Sequence, residues 1–158
     1  MGSVELNYTD DGRVAWITLN NLPKHNAMSF EMWQKLEAVL GGLGERARCV
    51  VLRGAGDQAF VSGADISEFI DRRRSPDDKA VYDAAADAAM KRLDEFEVPT
   101  VAMISGYCFG GGVALAMCCD VRIAADTALF AVIGAAEADA DQRQRRFAAP
   151  PQSFRNQR

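Results

Sequence analysis

The fold is decided by residues 100–120, which read TVAMISGYCFGGGVALAMCCD. The apolar run Thr100–Ile104 predicts a buried strand, and Gly106–Gly112 predicts a glycine-rich turn after it. From Gly112 to Cys119 the chain is again apolar, which predicts a buried helix that stops at Asp120. A buried strand that leads through a short turn into a helix indicates an α/β fold, in which helices pack on a sheet.

The residues before this stretch predict a hairpin, a helix and another strand. Val4–Tyr8 and Val14–Leu19 alternate apolar and polar residues on either side of a turn, which predicts a hairpin. Ser29 is a suitable N-cap for a helix that ends at Gly41. Cys49–Leu52 is a short apolar run and predicts a buried strand. The apolar residues that recur at helical spacing are Met32, Trp33, Leu36, Val39 and Leu40.

A second, longer helix is predicted in the middle of the chain. Asp65–Ile70 can begin a helix with an acidic first turn, whereas the highly charged segment Asp71–Lys79 predicts an exposed, mobile loop. Pro76 and Asp77 suit the start of a long helix that runs to Phe96. The small residues that form its predicted buried face are Val81, Ala84, Ala85, Ala88, Ala89 and Leu93.

After Asp120 the chain predicts two short strands and then changes in character. The strands are Val121–Ala124 and Ala128–Val132. Residues 134–158 contain no Val, Leu, Ile or Met and are rich in Ala, Arg, Gln and Pro. Such a segment buries too little apolar surface to offset its ordering entropy, which predicts a disordered tail. We therefore expect a core at residues 1–132 and an atypical tail at 133–158, whose composition suggests a shifted reading frame or a misplaced gene end.

The composition argues against several classes of partner. The 158 residues are 49% hydrophobic and 25% charged, as in a single globular domain. A net charge of −4 without a long basic block argues against nucleic-acid and membrane partners and favours a small metabolite. The four cysteines lack the spacing of a zinc site or a disulfide framework, so we expect reduced core cysteines and no metal. Without a signal-like N-terminus or a membrane-length apolar segment, a cytoplasmic location is expected.

Two glycine-containing segments are candidates for a functional site. Phe60–Ile66 and Ser105–Gly112 each follow a buried strand and open onto a predicted helix. The first N–H groups of a helix lack intrahelical acceptors and carry partial positive charge. Two such turns that face each other could bind one oxyanion. The alternative is that the glycines serve only close packing between strand and helix, and the residues alone leave both possibilities open.

Other glycine motifs do not fit these residues. A dinucleotide-binding fingerprint needs a glycine two positions after Gly106, where this chain has Cys108. A phosphate-binding loop needs a lysine after Gly112, where this chain has Val113. Neither of the serines beside these glycines lies in the G-x-S-x-G pattern of a serine hydrolase.

Four motifs in order resemble those of the enoyl-CoA hydratase/isomerase (crotonase) superfamily. They are NLPKHNAMS at residues 21–29, the turn Phe60–Ile66, GYCFGGG at residues 106–112 and CDVRIA at residues 119–124. The resemblance extends from Val4 to Val132. It implies a crotonase-like spiral of ββα units that is incomplete here, because the C-terminal helical region of the family is missing.

The resemblance also implies a chemistry. In that family two backbone N–H groups polarise the thioester carbonyl of an acyl-CoA and stabilise its enolate. Matched motif by motif, these groups fall on Ala64 and Gly111, which become the expected catalytic residues. The implied partner is an acyl-CoA thioester, with no cofactor beyond its coenzyme A, and the implied assembly is a homotrimer or hexamer. The implied substrate-binding residues are Lys24, Ala27, Ser62, Gly63, Ala64, Asp65, Ile66, Ser67, Gly110 and Gly111.

Two of these residues also have simpler interpretations. Lys24 lies in a loop that resembles the CoA-contacting loop of the family, where it could meet a phosphate or the adenine edge. A single solvated lysine explains it equally well, because one lysine is not a basic patch. Asp65 is explained better as a first-turn helix residue that the helix dipole favours.

The chain departs from the family at its acid–base positions. Family hydratases carry one glutamate two residues after the glycine triplet and another beyond the next strands, and the pair holds the attacking water. This chain has Ala114 at the first position and no aligned acid near Gly134 at the second, since Glu137 is out of register. We therefore expect an acyl-CoA-binding enzyme of the hydratase/isomerase type. The alternatives are a non-catalytic acyl-CoA-binding or assembly module and an inactive truncated fragment.

Overall fold

The computed structural model describes residues 2–44, 46–68 and 76–132. The predicted tail at 133–158 lies outside these ranges, as do residues 69–75, which hold parts of the predicted acidic helix and loop. The strands are β1 (Ser3–Tyr8), β2 (Val14–Asn20), β3 (Cys49–Gly54), β4 (Ala59–Val61), β5 (Thr100–Ile104), β6 (Tyr107–Phe109), β7 (Val121–Ala124) and β8 (Leu129–Ala131). The helices are α1 (Phe30–Gly41), α2 (Pro76–Asp94) and α3 (Gly111–Met117), with 3₁₀ turns at Leu22–Lys24 and Ile66–Glu68.

The larger sheet has the strand order β1-β2-β3-β5-β7. β1 and β2 form the predicted antiparallel hairpin, in which Val4 lies opposite Leu19. β3, β5 and β7 then add to the sheet in parallel. Parallel neighbours need long crossover connections, and here α1 lies between β2 and β3 while α2 lies between β3 and β5. This alternation confirms the α/β class.

The smaller sheet has the order β4-β6-β8, and both pairs are parallel. β4 overlaps the segment Phe60–Ile66, and β6 lies within Gly106–Gly112, so the prediction that both segments are turns throughout was wrong. The reason is length, because a strand of three residues is too short to show a period in the sequence. Pairing with a neighbour that is distant in the chain creates these strands. The glycine turns begin only where the strands end.

Helix α1 forms as its sequence predicts. The Ser29 hydroxyl accepts a 3.2 Å hydrogen bond from the backbone N–H of Met32 and caps the first turn. The residues it buries against the sheet are Met32, Trp33, Leu36 and Leu40, with Val39 half-buried.

Helix α2 buries a face that agrees only in part with the predicted one, since Ala89 and Leu93 are buried as predicted. Its buried residues are Tyr82, Ala86, Ala89 and Leu93. Val81 is 58% exposed, and Ala84 and Ala88 are also exposed, so their predicted burial was wrong. The difference arises at Tyr82, whose hydroxyl accepts from Trp33 Nε1 at 3.0 Å. With that polar end paired inside the protein, a tyrosine outcompetes the smaller residues for the buried position.

Within residues 2–44, 46–68 and 76–132, the last strand of each sheet has apolar side chains that no other residue covers, and β7 and β8 each pair with a neighbouring strand on one side only. The exposed residues on and beside them are Val121, Ile123, Leu129, Phe130 and Val132. An apolar surface beside open edges favours association. No helix in the described part of the chain is long and apolar enough to cross a membrane.

Candidate functional site

The two glycine turns meet at one edge of the smaller sheet. β4 and β6 are parallel neighbours, with Ala59 opposite Tyr107 and Val61 paired with Cys108. The carboxyl ends of parallel strands lie at the same edge, which is where α/β proteins commonly bind ligands. Ala64 lies just beyond β4, and Gly111 just beyond β6. The topology therefore brings together the two residues that the resemblance singled out.

Close packing holds the start of α3 against the end of β4. A side-chain carbon at Gly112 would lie 2.5 Å from the Val61 carbonyl oxygen, so only glycine fits there. One at Gly111 would lie 3.7 Å from Cζ2 of Trp33. Gly112 therefore serves close packing, which leaves the oxyanion-binding explanation to Gly111, the first residue of α3.

A glycine with positive φ precedes each of the two residues. Gly63 has φ +122°, and Gly110 has φ +50° and ψ −111°. Residues with a side chain rarely adopt these backbone conformations, whereas glycine does so without steric cost. The chain thus turns sharply before Ala64 and again before Gly111. These turns set the directions of the two N–H groups.

Backbone hydrogen bonds attach the turn that carries Ala64 to Met28, in the segment that precedes α1. The N–H of Met28 donates to the Gly63 carbonyl at 2.8 Å, and the N–H of Asp65 donates to the Met28 carbonyl at 2.9 Å. A trans peptide holds a carbonyl and the following N–H in opposite directions. Since the Gly63 carbonyl faces Met28, the N–H of Ala64 points away from Met28.

Neither candidate N–H group is used within the described part of the chain. The N–H of Ala64 has no acceptor there, and neither has that of Gly111, the first residue of α3. The N–H of Gly111 is an early helical donor and carries the positive end of the α3 dipole, whereas Ala64 lies before the 3₁₀ turn Ile66–Glu68. Two donors at neighbouring strand ends could polarise a carbonyl oxygen or stabilise an oxyanion.

A polar cluster lies on the Ala64 turn. The Lys24 ammonium donates to Asp65 Oδ2 at 2.6 Å and to Ser67 Oγ at 2.7 Å. The other carboxylate oxygen, Oδ1, accepts from the Ser67 N–H at 3.1 Å and from its hydroxyl at 2.8 Å. The Asp65 side chain is only 6% exposed and that of Lys24 is 45% exposed. Burial opposes ionisation of Asp65, but the Lys24 and Ser67 hydrogen bonds outweigh it and lower the pKa of this carboxyl.

Glu68 lies at the far end of the same turn, and the sequence indicates it only as an acid near the glycine segment. Its Oε2 accepts a 2.8 Å hydrogen bond from the N–H of Phe30, the first residue of α1. Burial raises the pKa of Glu68, and the neighbouring acids Glu31 and Asp65 raise it further. That Glu68 lies three residues after Asp65 is visible in the sequence. Its hydrogen-bond partner Phe30 lies 38 residues away, too far for the sequence to indicate the contact.

A buried asparagine shapes the loop before α1, and only the motif NLPKHNAMS indicated it in advance. Asn26 has φ +56° and is 1% exposed. Its Nδ2 donates to the carbonyls of Ala55 (2.9 Å) and Ala59 (2.7 Å), and its Oδ1 accepts from the N–H of Asn21 (2.9 Å). These bonds hold the Lys24 loop against β4. Asparagine is one of the few non-glycine residues that tolerate such a φ.

The remaining predicted substrate-binding residues occupy two different surroundings. Ser62 lies on the turn and donates through Oγ to the Lys24 carbonyl at 3.1 Å, and Ile66 is 77% exposed beside it. Ala27 is buried, so its side chain lines the interior beneath the loop. Ala114 is half-buried in α3, and its methyl group supplies no acid or base there.

An open cavity of about 560 Å³ lies at the opposite end of the smaller sheet. It is lined by His25 and by residues at the starts of the three strands, including Gln58, Tyr107 and Leu129. The His25 and Tyr107 rings meet edge to face with centroids 5.7 Å apart. The cavity is therefore separate from the strand ends that carry Ala64 and Gly111.

The cysteines belong to the core and its margins. Cys108 and Cys119 are buried, as predicted, whereas Cys49 and Cys118 are half-buried. Burial raises the pKa of Cys108 and of Cys119 to about 12, so both are thiols at neutral pH. Among the described residues no group of three His, Cys, Asp or Glu side chains could hold a metal ion.

Comparison with known sequences adds an independent finding. The Enoyl-CoA hydratase/isomerase family matches residues 9–138 of this chain. The chain is 34% identical over 122 residues to the short-chain-enoyl-CoA hydratase of Clostridium acetobutylicum, covering 76% of this chain and 46% of that protein. It is 35% identical over 126 residues to the hydroxycinnamoyl-CoA hydratase-lyase of Pseudomonas fluorescens, covering 77% and 45%. The chain thus spans about half the length of the curated relatives that it matches.

Solved structures give the same result. An enoyl-CoA hydratase/carnithine racemase from Magnetospirillum magneticum superimposes with a TM-score of 0.83 at 33% identity, covering 95% of this chain and 59% of that one. An enoyl-CoA hydratase from Bacillus anthracis superimposes with a TM-score of 0.76 at 29% identity, covering 80% and 49%. These likenesses confirm the predicted fold class and its incompleteness relative to these proteins.

Proposed function

Since this chain belongs to the enoyl-CoA hydratase/isomerase family, we propose that it binds acyl-CoA thioesters and polarises the thioester carbonyl with the N–H groups of Ala64 and Gly111. The observation that carries the proposal is the pair of N–H groups at neighbouring strand ends that have no acceptor among the described residues. A thioester oxygen that gains negative charge is stabilised most by donors that are already in position. Hydrogen bonds along the Ala64 turn and close packing at Gly112 favour donors that are in place before a ligand arrives.

The substrate path follows from the same geometry. The thioester oxygen lies between the two N–H groups, and the pantetheine arm runs along the Ser62–Ser67 turn over Ala27. Gly110 leaves the approach to the Gly111 N–H open, because no other atom lies within 4 Å of the place where its side chain would start. The exposed Ile66 side chain offers apolar contact beside the turn. We also propose that the chain assembles as a homotrimer or hexamer, as the family implies.

The proposed chemistry stops at carbonyl polarisation. Proton transfer to and from the α and β carbons needs an acid or a base within hydrogen-bond reach. Ala114 offers neither in α3, the helix that follows the Gly111 turn. The family's reactions, hydration by a lyase and double-bond shift by an isomerase, therefore lack an assigned proton carrier among the described residues.

A second candidate function is a non-catalytic acyl-CoA-binding module. Ala114 favours it, because a methyl group replaces the side chain that would deliver a proton. Binding would use the same N–H pair and the same turn. The enzyme and the module both predict binding of the thioester, but only the enzyme predicts its turnover.

A paired experiment tests the proposal and separates the candidates. Calorimetric titration measures binding of acetyl-CoA and of its thioether analogue, which lacks the thioester carbonyl. Hydration of crotonyl-CoA is followed in parallel. We expect the thioester to bind more tightly than the thioether. Turnover of crotonyl-CoA then supports the enzyme, and binding without turnover supports the module. Equal affinity for the two ligands contradicts polarisation of the carbonyl, and no binding of either ligand leaves an inactive fragment.

A further inference from the structure

We propose that Lys24 and Asp65 form a latch that positions the N–H of Ala64, and that Lys24 acts through Asp65 and not through a phosphate of the ligand. This inference rests on the proposed function of Ala64. Its basis is the 2.6 Å ion pair between the Lys24 ammonium and Asp65, the residue that follows Ala64. Lys24 and Asp65 are positioning residues in this account, because neither touches the thioester carbonyl.

The latch is needed because Gly63 leaves the backbone of the turn free to rotate. Gly63, at φ +122°, permits rotation of the peptide that carries the Ala64 N–H. The carbonyl of that same peptide, that of Gly63, accepts one hydrogen bond, from the Met28 N–H. The next residue, Asp65, is bound through its own N–H and through both oxygens of its side chain. Asp65 therefore adds side-chain anchors directly after the peptide that carries the Ala64 N–H.

Burial and charge commit Lys24 to this role. A carboxylate that is 6% exposed needs a cation close by, and the ammonium donates to both Asp65 and Ser67. An ammonium has three N–H donors, and Asp65 and Ser67 already use two of them, so at most one is left for a phosphate. Hydrogen bonds to charged groups are among the strongest in proteins, so the structure favours the engaged ammonium.

A double-mutant cycle with two thioesters tests the latch. The variants are Lys24→Met, Asp65→Asn and the double variant, with Lys35→Met on the exposed face of α1 as the control. The probes are acetoacetyl-CoA and the phosphate-free thioester S-acetoacetyl-N-acetylcysteamine. Each probe loses the proton between its carbonyl groups to the buffer, and the electron pair moves onto the thioester oxygen as an enolate that absorbs in the near ultraviolet. Two N–H donors on that oxygen increase the enolate fraction.

The latch predicts one pattern across the four proteins. Each single variant lowers the enolate equilibrium constant by about tenfold or more, as expected when a preformed donor is misplaced. The loss is the same for both probes, since no phosphate is involved. The double variant is no worse than either single variant, because the two residues act as one unit. Lys35→Met leaves both equilibria unchanged.

Three results would overturn the latch. A loss in Lys24→Met that is confined to acetoacetyl-CoA would show direct phosphate contact. Additive losses in the double variant would show that the two residues act separately. Unchanged enolate formation in both single variants would show that neither positions the donor. If Asp65→Asn does not fold by circular dichroism, Lys24→Met alone decides with the two probes, because its side chain is half exposed.

A separate readout distinguishes the latch from the proposed function. If the wild-type chain forms no enolate with either probe, the proposed function fails. The latch is then judged by amide hydrogen exchange at Asp65, whose N–H donates to Met28. Faster exchange at that amide in Lys24→Met, with unchanged exchange across β2, supports the latch. Equal exchange in the variant and the wild type overturns it.

Discussion

The hydroxyl of Tyr82 donates a 2.9 Å hydrogen bond to the Met28 carbonyl, the same oxygen that accepts from the Asp65 N–H at 2.9 Å. One carbonyl therefore joins helix α2 to the turn that carries Ala64. The same hydroxyl accepts from Trp33 Nε1 at 3.0 Å, which links α1 to the pair. The site is thus supported from behind by a buried polar contact between two helices.

Tyr82→Phe should lower the free energy of unfolding by about 1–3 kcal/mol, because the buried Trp33 N–H loses its acceptor. Urea denaturation followed by tryptophan fluorescence measures the change. Tyr8→Phe on the exposed face of the hairpin is the matched control and should change stability by less than about 0.5 kcal/mol. Equal stability of Tyr82→Phe and the control would mean that the Tyr82 hydroxyl is not buried between the helices.

Two alanines on α2 distinguish the observed buried face from the one that the sequence predicts. Ala86→Leu should destabilise the protein by about 1–3 kcal/mol, because Ala86 is buried and the core has no room for the added carbons. Ala84→Leu should change stability by less than about 0.5 kcal/mol, since that position is exposed. Thermal unfolding of both variants measures the difference. The reverse order of stabilities would restore the predicted face.

Asp120 should make stability depend on pH in acid. Hydrogen bonds from the backbone N–H and the hydroxyl of Thr100 lower the pKa of Asp120 below its usual 3.8. The folded state therefore favours the ionised form, and the stabilisation is present above pH 3.8 and is lost as pH falls through the folded pKa. Asp120→Asn should be less stable than wild type at pH 6, and the gap should close on acidification. A gap that stays constant down to pH 2, or that Asp126→Asn on an exposed turn reproduces, would contradict this assignment.

The thiols should react in two groups. Cys108 and Cys119 are buried, and their pKa values of about 12 leave almost no thiolate at neutral pH. Iodoacetamide on the native chain should therefore modify the half-buried Cys49 and Cys118 first, as peptide mass spectrometry can measure. In denaturant all four should react at similar rates. Modification of Cys108 as fast as that of Cys49 in the native chain would show that β6 is open to solvent.

Sequence predicted the elements whose signals are local. The Ser29 cap and the helical spacing of Met32 and Leu36 lie within one turn or two of each other, so α1 was visible in the letters. The β1–β2 hairpin was equally visible, because its alternation spans each whole strand. These signals survive in the structure because local preference and burial agree.

Sequence failed where the partner lies far away in the chain. β4 and β6 each have three residues, and only pairing with strands distant in the chain makes them strands. The buried face of α2 depends on Tyr82 reaching Met28, a partner on another element. The Lys24–Asp65 pair likewise joins two loops. Considered one at a time, Lys24 was interpreted as a possible ligand contact and Asp65 as a residue favoured by the helix dipole. The resemblance located Ala64 and Gly111, and their unused N–H groups became visible only in the structure.

The vibrational frequency of the bound thioester carbonyl tests the central claim most directly. Acetyl-CoA labelled with carbon-13 at the thioester carbon is added to the wild-type chain, to Gly110→Ala and to the control Gly44→Ala, and isotope-edited infrared difference spectra are recorded. A side chain at Gly110 strains the turn before the Gly111 N–H, whereas no atom lies within 4 Å of one at Gly44. We predict a lower stretching frequency than in water for the wild type and Gly44→Ala, because two fixed donors weaken the carbonyl bond, and a smaller shift for Gly110→Ala. A bound carbonyl with the same frequency as in water, or an equal shift in all three proteins, would contradict the assignment of Ala64 and Gly111 as the donors.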